Sequence, residues 1–371
     1  MQTLAAVLTV ATATATAPQL PGPSLTLLDS IVLEESEENY VSGPLDMAWG
    51  PKGSILISDG YANAILEFDT SGRFVRVFGG TGEGPGEFLG IGAVFAGRDL
   101  VGAVDMRGAA IKLFDYETGE SIGQVRLRPT MQPSSMTQVG DRMWVSGMDQ
   151  DSWMTVGTVA MDSLVAIARG EVIGTIAFDR VPAPAPYQEN PFMAGALGAS
   201  MLDIGMTDMI SSFAGSSYLL RSSLDGRHTL GAINLVPRIR RGAPDEQDVG
   251  AGADLDPRTF ANEISVLRAL SRDDANNVLV LHTDLLIEGM QVREITYYVS
   301  TVTADGTQCA DTLVPTAAAG QPLVALRGRT LYVVDQTQAG NEVATRVTRY
   351  EVDPASCGNA AGEHSGKPTG G

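Results

Sequence analysis

Only three histidines occur in the 371 residues, and their positions limit the metal and acid–base chemistry open to the chain. His364 falls in a polar tail, His228 opens an apolar stretch and His282 closes another. Three widely separated histidines in such places cannot supply a three-histidine zinc centre, and His282 alone is left as a candidate site residue. Oxygen ligands leave calcium or magnesium open, although no segment has the spacing of a calcium loop. Asp149 and Asp151 begin one, but Trp153 takes the next ligand position. Neither G-x-S-x-G nor H-E-x-x-H occurs, and no cysteine sits in a nucleophile context. Paired carboxylates could still do acid–base work, because their pairing is spatial and not written in the spacing.

Other residue groups point to binding. Arg238, Arg240 and Arg241 form the one basic cluster of an acidic chain and could receive an anionic ligand. The acidic residues that follow them, Asp245 to Asp256, could equally neutralise them. A Pro-rich segment around Tyr187 could act as a lid or be an ordinary surface excursion. The Gly-rich run Gly79–Gly92 could cradle a ligand with backbone N–H groups, or simply make a rigid Gly/Pro turn. Glu87 within that run, with Tyr61 and Asn63 in the connection before it, completes the candidate binding set.

A net charge of −19 disfavours any surface meant for a phosphate backbone, so no nucleic-acid partner is expected. Leu4–Val10 is apolar and runs into small residues ending Ala15-Thr16-Ala17, the pattern of a secretory leader without its basic start. Residues 1–24 are therefore read as a signal peptide or a disordered leader. The expected location is periplasmic, cell-surface or secreted. The apolar stretch is too short to span a membrane. In an exported protein Cys309 and Cys357 would form one disulfide; two unpaired thiols is the alternative. Residues 358–371 are a polar tail.

What would position these groups is a repeat. Residues 44–79 parse as four short strands: Leu45–Trp49, Ser54–Ser58, Ala64–Asp69 and Arg73–Phe78, each closed by turn residues. The pattern returns 46 residues later, aligning Asp59 with Asp105, Ile65 with Ile111, Phe68 with Phe114 and Asp69 with Asp115. Four strands in 40–50 residues make a propeller blade. Weaker copies occupy 134–178, 200–236, 262–315 and 320–354, the first of them including Ser163–Gly170 and Val172–Phe178 as strands. The last copy lacks a fourth strand, and residues 25–35 are strand-like. Joining the two would close the ring and remove its exposed edges.

The stretch from Ile57 to Phe74 and its continuation Phe78–Phe88, ending Gly-Pro-Gly-Glu-Phe, resembles the NHL-repeat pattern of exported bacterial six-bladed propellers. The resemblance is strong over 44–127 and architectural beyond. It implies an all-β, six-bladed β-propeller of four-stranded antiparallel blades over 25–357, closed by the N-terminal strand. In such a ring Asp59, Asp105 and Asp335 would be structural, each accepting turn N–H groups after a second strand. The long connections between blades would rise from one face, with His282 near the channel mouth. The functional expectation is a monomeric binding module for a protein, peptide, glycan or small molecule, needing no cofactor. The alternative is a metal-dependent hydrolase or lyase of the lactonase kind, with calcium or magnesium in the central channel.

Overall fold

The computed structural model describes residues 21–97, 99–128, 131–149, 154–181, 200–216, 218–224, 228–235, 263–288, 291–316, 322–339 and 342–354. Blade 1 is β2 (Pro44–Trp49), β3 (Ile55–Asp59), β4 (Ala64–Phe68) and β5 (Phe74–Gly79). Its bounds lie within one residue of the turns read from the sequence. Blade 2 is β6 (Ile91–Ala96), β7 (Leu100–Asp105), β8 (Ala110–Asp115) and β9 (Ser121–Arg126). Blade 3 holds β10 (Gln132–Val139), β11 (Arg142–Met148), β12 (Met154–Ala160) and β13 (Phe178–Val181). Blade 4 holds β14 (Ser200–Ile204), β15 (Asp208–Phe213), β16 (Tyr218–Ser223) and β17 (Thr229–Asn234). Blade 5 holds β18 (Glu263–Arg272), β19 (Val278–Glu288), β20 (Gln291–Val302) and β21 (Thr312–Leu313).

Blade 6 takes three strands from the end of the chain, β22 (Leu323–Arg327), β23 (Thr330–Ala339) and β24 (Glu342–Asp353). Its fourth is β1 (Ser24–Val32), antiparallel to β24 from Ser24 opposite Asp353 to Val32 opposite Arg346. The two ends of the chain thus share one sheet. An Arg349–Asp29 ion pair clamps them, with the Asp29 carboxyl held below its usual range by its hydrogen bond to Arg349. First strands touch in the cyclic order β2, β6, β10, β14, β18, β22 and back to β2, which makes the ring. All pairing within the blades is antiparallel. The molecule is an all-β, six-bladed propeller.

The core lies between the blades. Phe78, Phe88 and Phe114 pack at centroid distances of 5.8 and 6.0 Å between blades 1 and 2. Met47, Ile57 and Phe68 meet Tyr332 and Val347 between blades 1 and 6. Alternation along each strand serves two such interfaces at once, so central strands such as β3 and β4 are buried on both faces.

One element departs from the repeat. The run Ser163–Gly170, read as a strand, is mostly the helix α1 (Met161–Ala168), and the preceding residues Met154–Ala160 form the third strand instead. The fourth strand is Phe178–Val181, not Val172–Phe178. Met161, Leu164, Val165 and Ala168 share one helical face, and Leu164 is fully buried against blade 2. A short apolar run satisfies both periods, and packing decides between them. Gly123 makes room: a Cβ there would lie 2.1 Å from the Ala168 carbonyl oxygen.

Candidate functional site

Two blade tops show how the ring presents its loops. The Asp59 carboxylate, fully buried, accepts from the amides of Ser42 and Gly43 at 2.7 Å, of Tyr61 at 3.0 Å and of Ala62 at 2.9 Å. It also accepts from the Ser42 hydroxyl at 3.0 Å. The strand entering the blade is thereby tied to the turn between β3 and β4. Asp105 repeats this in blade 2 with the amides of Leu89 and Gly90 at 3.2 Å and Gly108 at 3.0 Å. A backbone bond accompanies each cap, Gly60 to Gly43 at 2.8 Å and Met106 to Gly90 at 2.7 Å. Asn63 and Ala109 occupy the same place after it, both with left-handed backbone at φ 49° and 48°.

Asp335 does not end its strand. β23 continues through Ala339 in a long hairpin with β24, and Asp335 lies opposite Arg346 in that pairing. His282 does not end its strand either. β19 runs on to Glu288, and the imidazole is fully buried, 2.7 Å from Asp311 and stacked on Tyr298. Both strands run on for one reason: the hairpins of blades 5 and 6 are longer than the first repeat implies.

The Gly-rich connection is a rigid turn. Its amides are engaged from within, Phe88 donating to Gly80, Gly82 to Phe88 and Glu87 to Gly84. Glu87 closes the turn by accepting from the Gly84 amide at 2.8 Å. Lys112, only 4% exposed, rises from β8 beneath it, donates to the Glu87 and Gly84 carbonyls and stands 3.5 Å from Asp105. Few N–H groups are left here for an anion. Asn63 anchors the same region, donating to Thr81 at 3.2 Å and accepting from the Ile91 amide at 3.1 Å.

Tyr61 is different: it is 81% exposed, with its ring laid across Gly43, where a Cβ would come within 2.5 Å. It borders a groove of about 340 Å³ between the connection from β1 to β2 and the outer half of blade 1. Glu38, Asn39 and Tyr40 form one wall, Tyr61 and Ala62 another, and Leu66 and Val77 the floor. Tyr40 is also exposed. No signal drew attention to Tyr40 or Glu38 in the sequence, because they precede the first complete repeat.

On the channel side, Asp46 of β2 accepts from the Val94 amide of β6 at 2.9 Å, and burial pushes its pKa up to about 6. Among the described residues no group of three or more His, Cys, Asp or Glu is placed to hold a metal ion. No described helix is long and apolar enough to cross a membrane. Tyr187, Arg238, Arg240, Arg241 and Cys357 lie outside the described residues, as do most of the two longer connections between blades. Cys309 is buried in the connection from β20 to β21 of blade 5.

Residues 24–150 match a family model described as a 6-bladed beta-propeller. No curated protein sequence matches the chain. Among solved structures it is similar to an exported protein of Bacteroides fragilis, at 10% identity and TM-score 0.56, over 89% of this chain and 95% of that one. It is also similar to a catalytically inactive virginiamycin B lyase of Staphylococcus aureus with quinupristin, at 11% identity and TM-score 0.51, over 88% and 99% of the two chains. At these identities the likeness is one of fold alone.

Proposed function

We propose that this propeller is a binding module whose ligand seats on the loop-bearing face, in the groove beside blade 1. The observation that carries the reading is the exposure of Tyr40 and Tyr61 around one concavity on a rigid frame. Exposed tyrosines are costly ornaments on a surface and good contact residues: large, stiff and amphipathic. The cap beneath them is fully hydrogen-bonded, so the groove is preorganised rather than formed on binding. Export fits the leader-like start of the sequence, and a Cys309–Cys357 bond fits such a compartment. That bond would tether the tail to blade 5 beside the entering chain, where Thr312 donates to the Pro23 carbonyl at 2.6 Å.

Peptide and glycan arrays probed with the wild-type protein and a Tyr40→Ala/Tyr61→Ala double variant test the site. The expected result is array ligands that the wild type retains and the double variant loses, at an unchanged melting temperature. Ligands retained equally by both would remove the groove from the function.

A further inference from the structure

The groove has a chemical preference beyond its shape. Two tyrosine rings offer electron-rich faces, and the only ionisable side chain on its walls besides them is Glu38. Glu34 and Glu37 stand exposed in the same connection, and no ion pair engages any of the three among the described residues. Glu35, by contrast, is used up inside the fold, accepting from Val41 at 2.7 Å and from Thr345 at 3.0 and 2.9 Å. No Lys or Arg lines the groove. The nearby arginine of β5, Arg76, is turned to the other sheet face, where it donates to buried Glu67 at 2.7 Å and covers the rings of Phe78 and Tyr116. A floor of Leu66 and Val77, with Ala62 and Ala64 beside it, would take methyl or methylene groups.

Aromatic faces, an unpaired carboxylate and a small apolar floor together favour a cation that carries carbon around its charge. The rings attract it through their quadrupoles, and it loses less hydration than a metal ion or ammonium would. We propose that the groove walled by Tyr40, Tyr61 and Glu38 binds an organic cation, an alkylammonium or guanidinium group. This inference rests on the groove being the ligand site and adds its ligand class. A volume of about 340 Å³ lies at the small end of the range for small-molecule pockets and has room for such a head group.

Calorimetric titration of the whole protein with choline, with its uncharged isostere 3,3-dimethylbutan-1-ol and with argininamide tests it. The expected result is millimolar binding of choline, argininamide or both, and at least tenfold weaker binding of the isostere. Tyr61→Ala should weaken cation binding about fivefold or more and Glu38→Gln about threefold. Glu120→Gln, an exposed carboxylate in the β8–β9 hairpin, should leave it unchanged and so separates the groove from the general acidity of the surface. Tyr61 is exposed enough that its variant folds, which a melting curve checks. Equal binding of isostere and cation would overturn the ligand class while leaving the groove as a site. Cation binding indifferent to Tyr61 and Glu38, or no binding of either cation, would overturn the proposal outright.

Discussion

Blades 1 and 2 share a backbone and differ in what they show the solvent. In both, an aspartate at the end of the second strand gathers the amides of the entering strand and of the following turn. In both, the residue two past that aspartate lies over a glycine of the entry, Tyr61 over Gly43 and Arg107 over Gly90. The seat is the same and the occupant is not. Asn63 corresponds to Ala109, and Glu67 to Leu113. What repeats is the hydrogen-bonded frame; what fails to repeat is where individual function can reside. The repeat therefore marks function by its exceptions.

The strongest way to break the comparison is to remove the shared part. Asp59→Ala strands four backbone amides and a hydroxyl, two of the amides at 2.7 Å. Losing several charge-assisted bonds at a buried site is expected to cost about 3–5 kcal/mol in urea unfolding. Asp105→Ala has fewer and longer bonds to lose, but it also leaves Lys112 buried without its carboxylate partner. It should therefore cost a similar amount. Replacing both aspartates should cost about the sum, since the caps serve separate turns. A loss below about 1 kcal/mol for either would show that the capping bonds are not what holds the blade tops.

A middle-sized effect comes from a group that blade 2 lacks. Asp46 has no acidic counterpart on β6, and burial raises its pKa from 3.8 to about 6. The folded state then holds the proton more tightly than the unfolded chain. Its contribution is fully favourable below about pH 4, and stability declines as pH rises to about 6 and levels off above. Asp46→Asn, which keeps an oxygen for the Val94 amide, should flatten that window. It should also stabilise the protein at pH 7 by about 1–2 kcal/mol, less than the full shift implies because the side chain keeps some contact with solvent. Denaturant midpoints at pH 4, 5, 6 and 7 would show it, and an unchanged slope in the variant would assign the pH dependence elsewhere.

Turn chemistry and repeat spacing decide how much of the fold is legible in the sequence. Turn residues at short intervals, Gly-Pro-Lys-Gly and Thr-Ser-Gly among them, fix blade 1 almost to the residue. The closure by β1 follows from a strand missing at one end and a spare one at the other. The helix α1 was hidden because an eight-residue apolar run reads as either period. The ends of β19 and β23 fall beyond His282 and Asp335 because hairpin length is set by cross-strand pairing far from the turn, as in the register from Asp335–Arg346 to Ala339–Glu342. Of the site, Tyr61 was legible through its place in a connection. Tyr40 and Glu38 come from a connection that crosses from the closing blade to the first, and only the ring brings them to Tyr61.

The smallest change in stability should carry the most information. Tyr61→Arg places blade 2's residue on blade 1's seat, and Arg107→Tyr does the reverse. Each occupant rests on a glycine at the surface, so either exchange should alter unfolding free energy by no more than about 0.5 kcal/mol. Their consequences for ligand should be opposite in kind. An arginine at position 61 puts a fixed positive charge on the wall beside Glu38, satisfying that carboxylate internally and repelling an incoming cation. Binding of choline or argininamide should fall below detection in Tyr61→Arg and be unchanged in Arg107→Tyr, whose seat has no Glu38 beside it. Were Arg107→Tyr to create a second cation site of similar affinity, the tyrosine and its glycine seat would suffice, and the wall from the β1–β2 connection would lose its role in recognition.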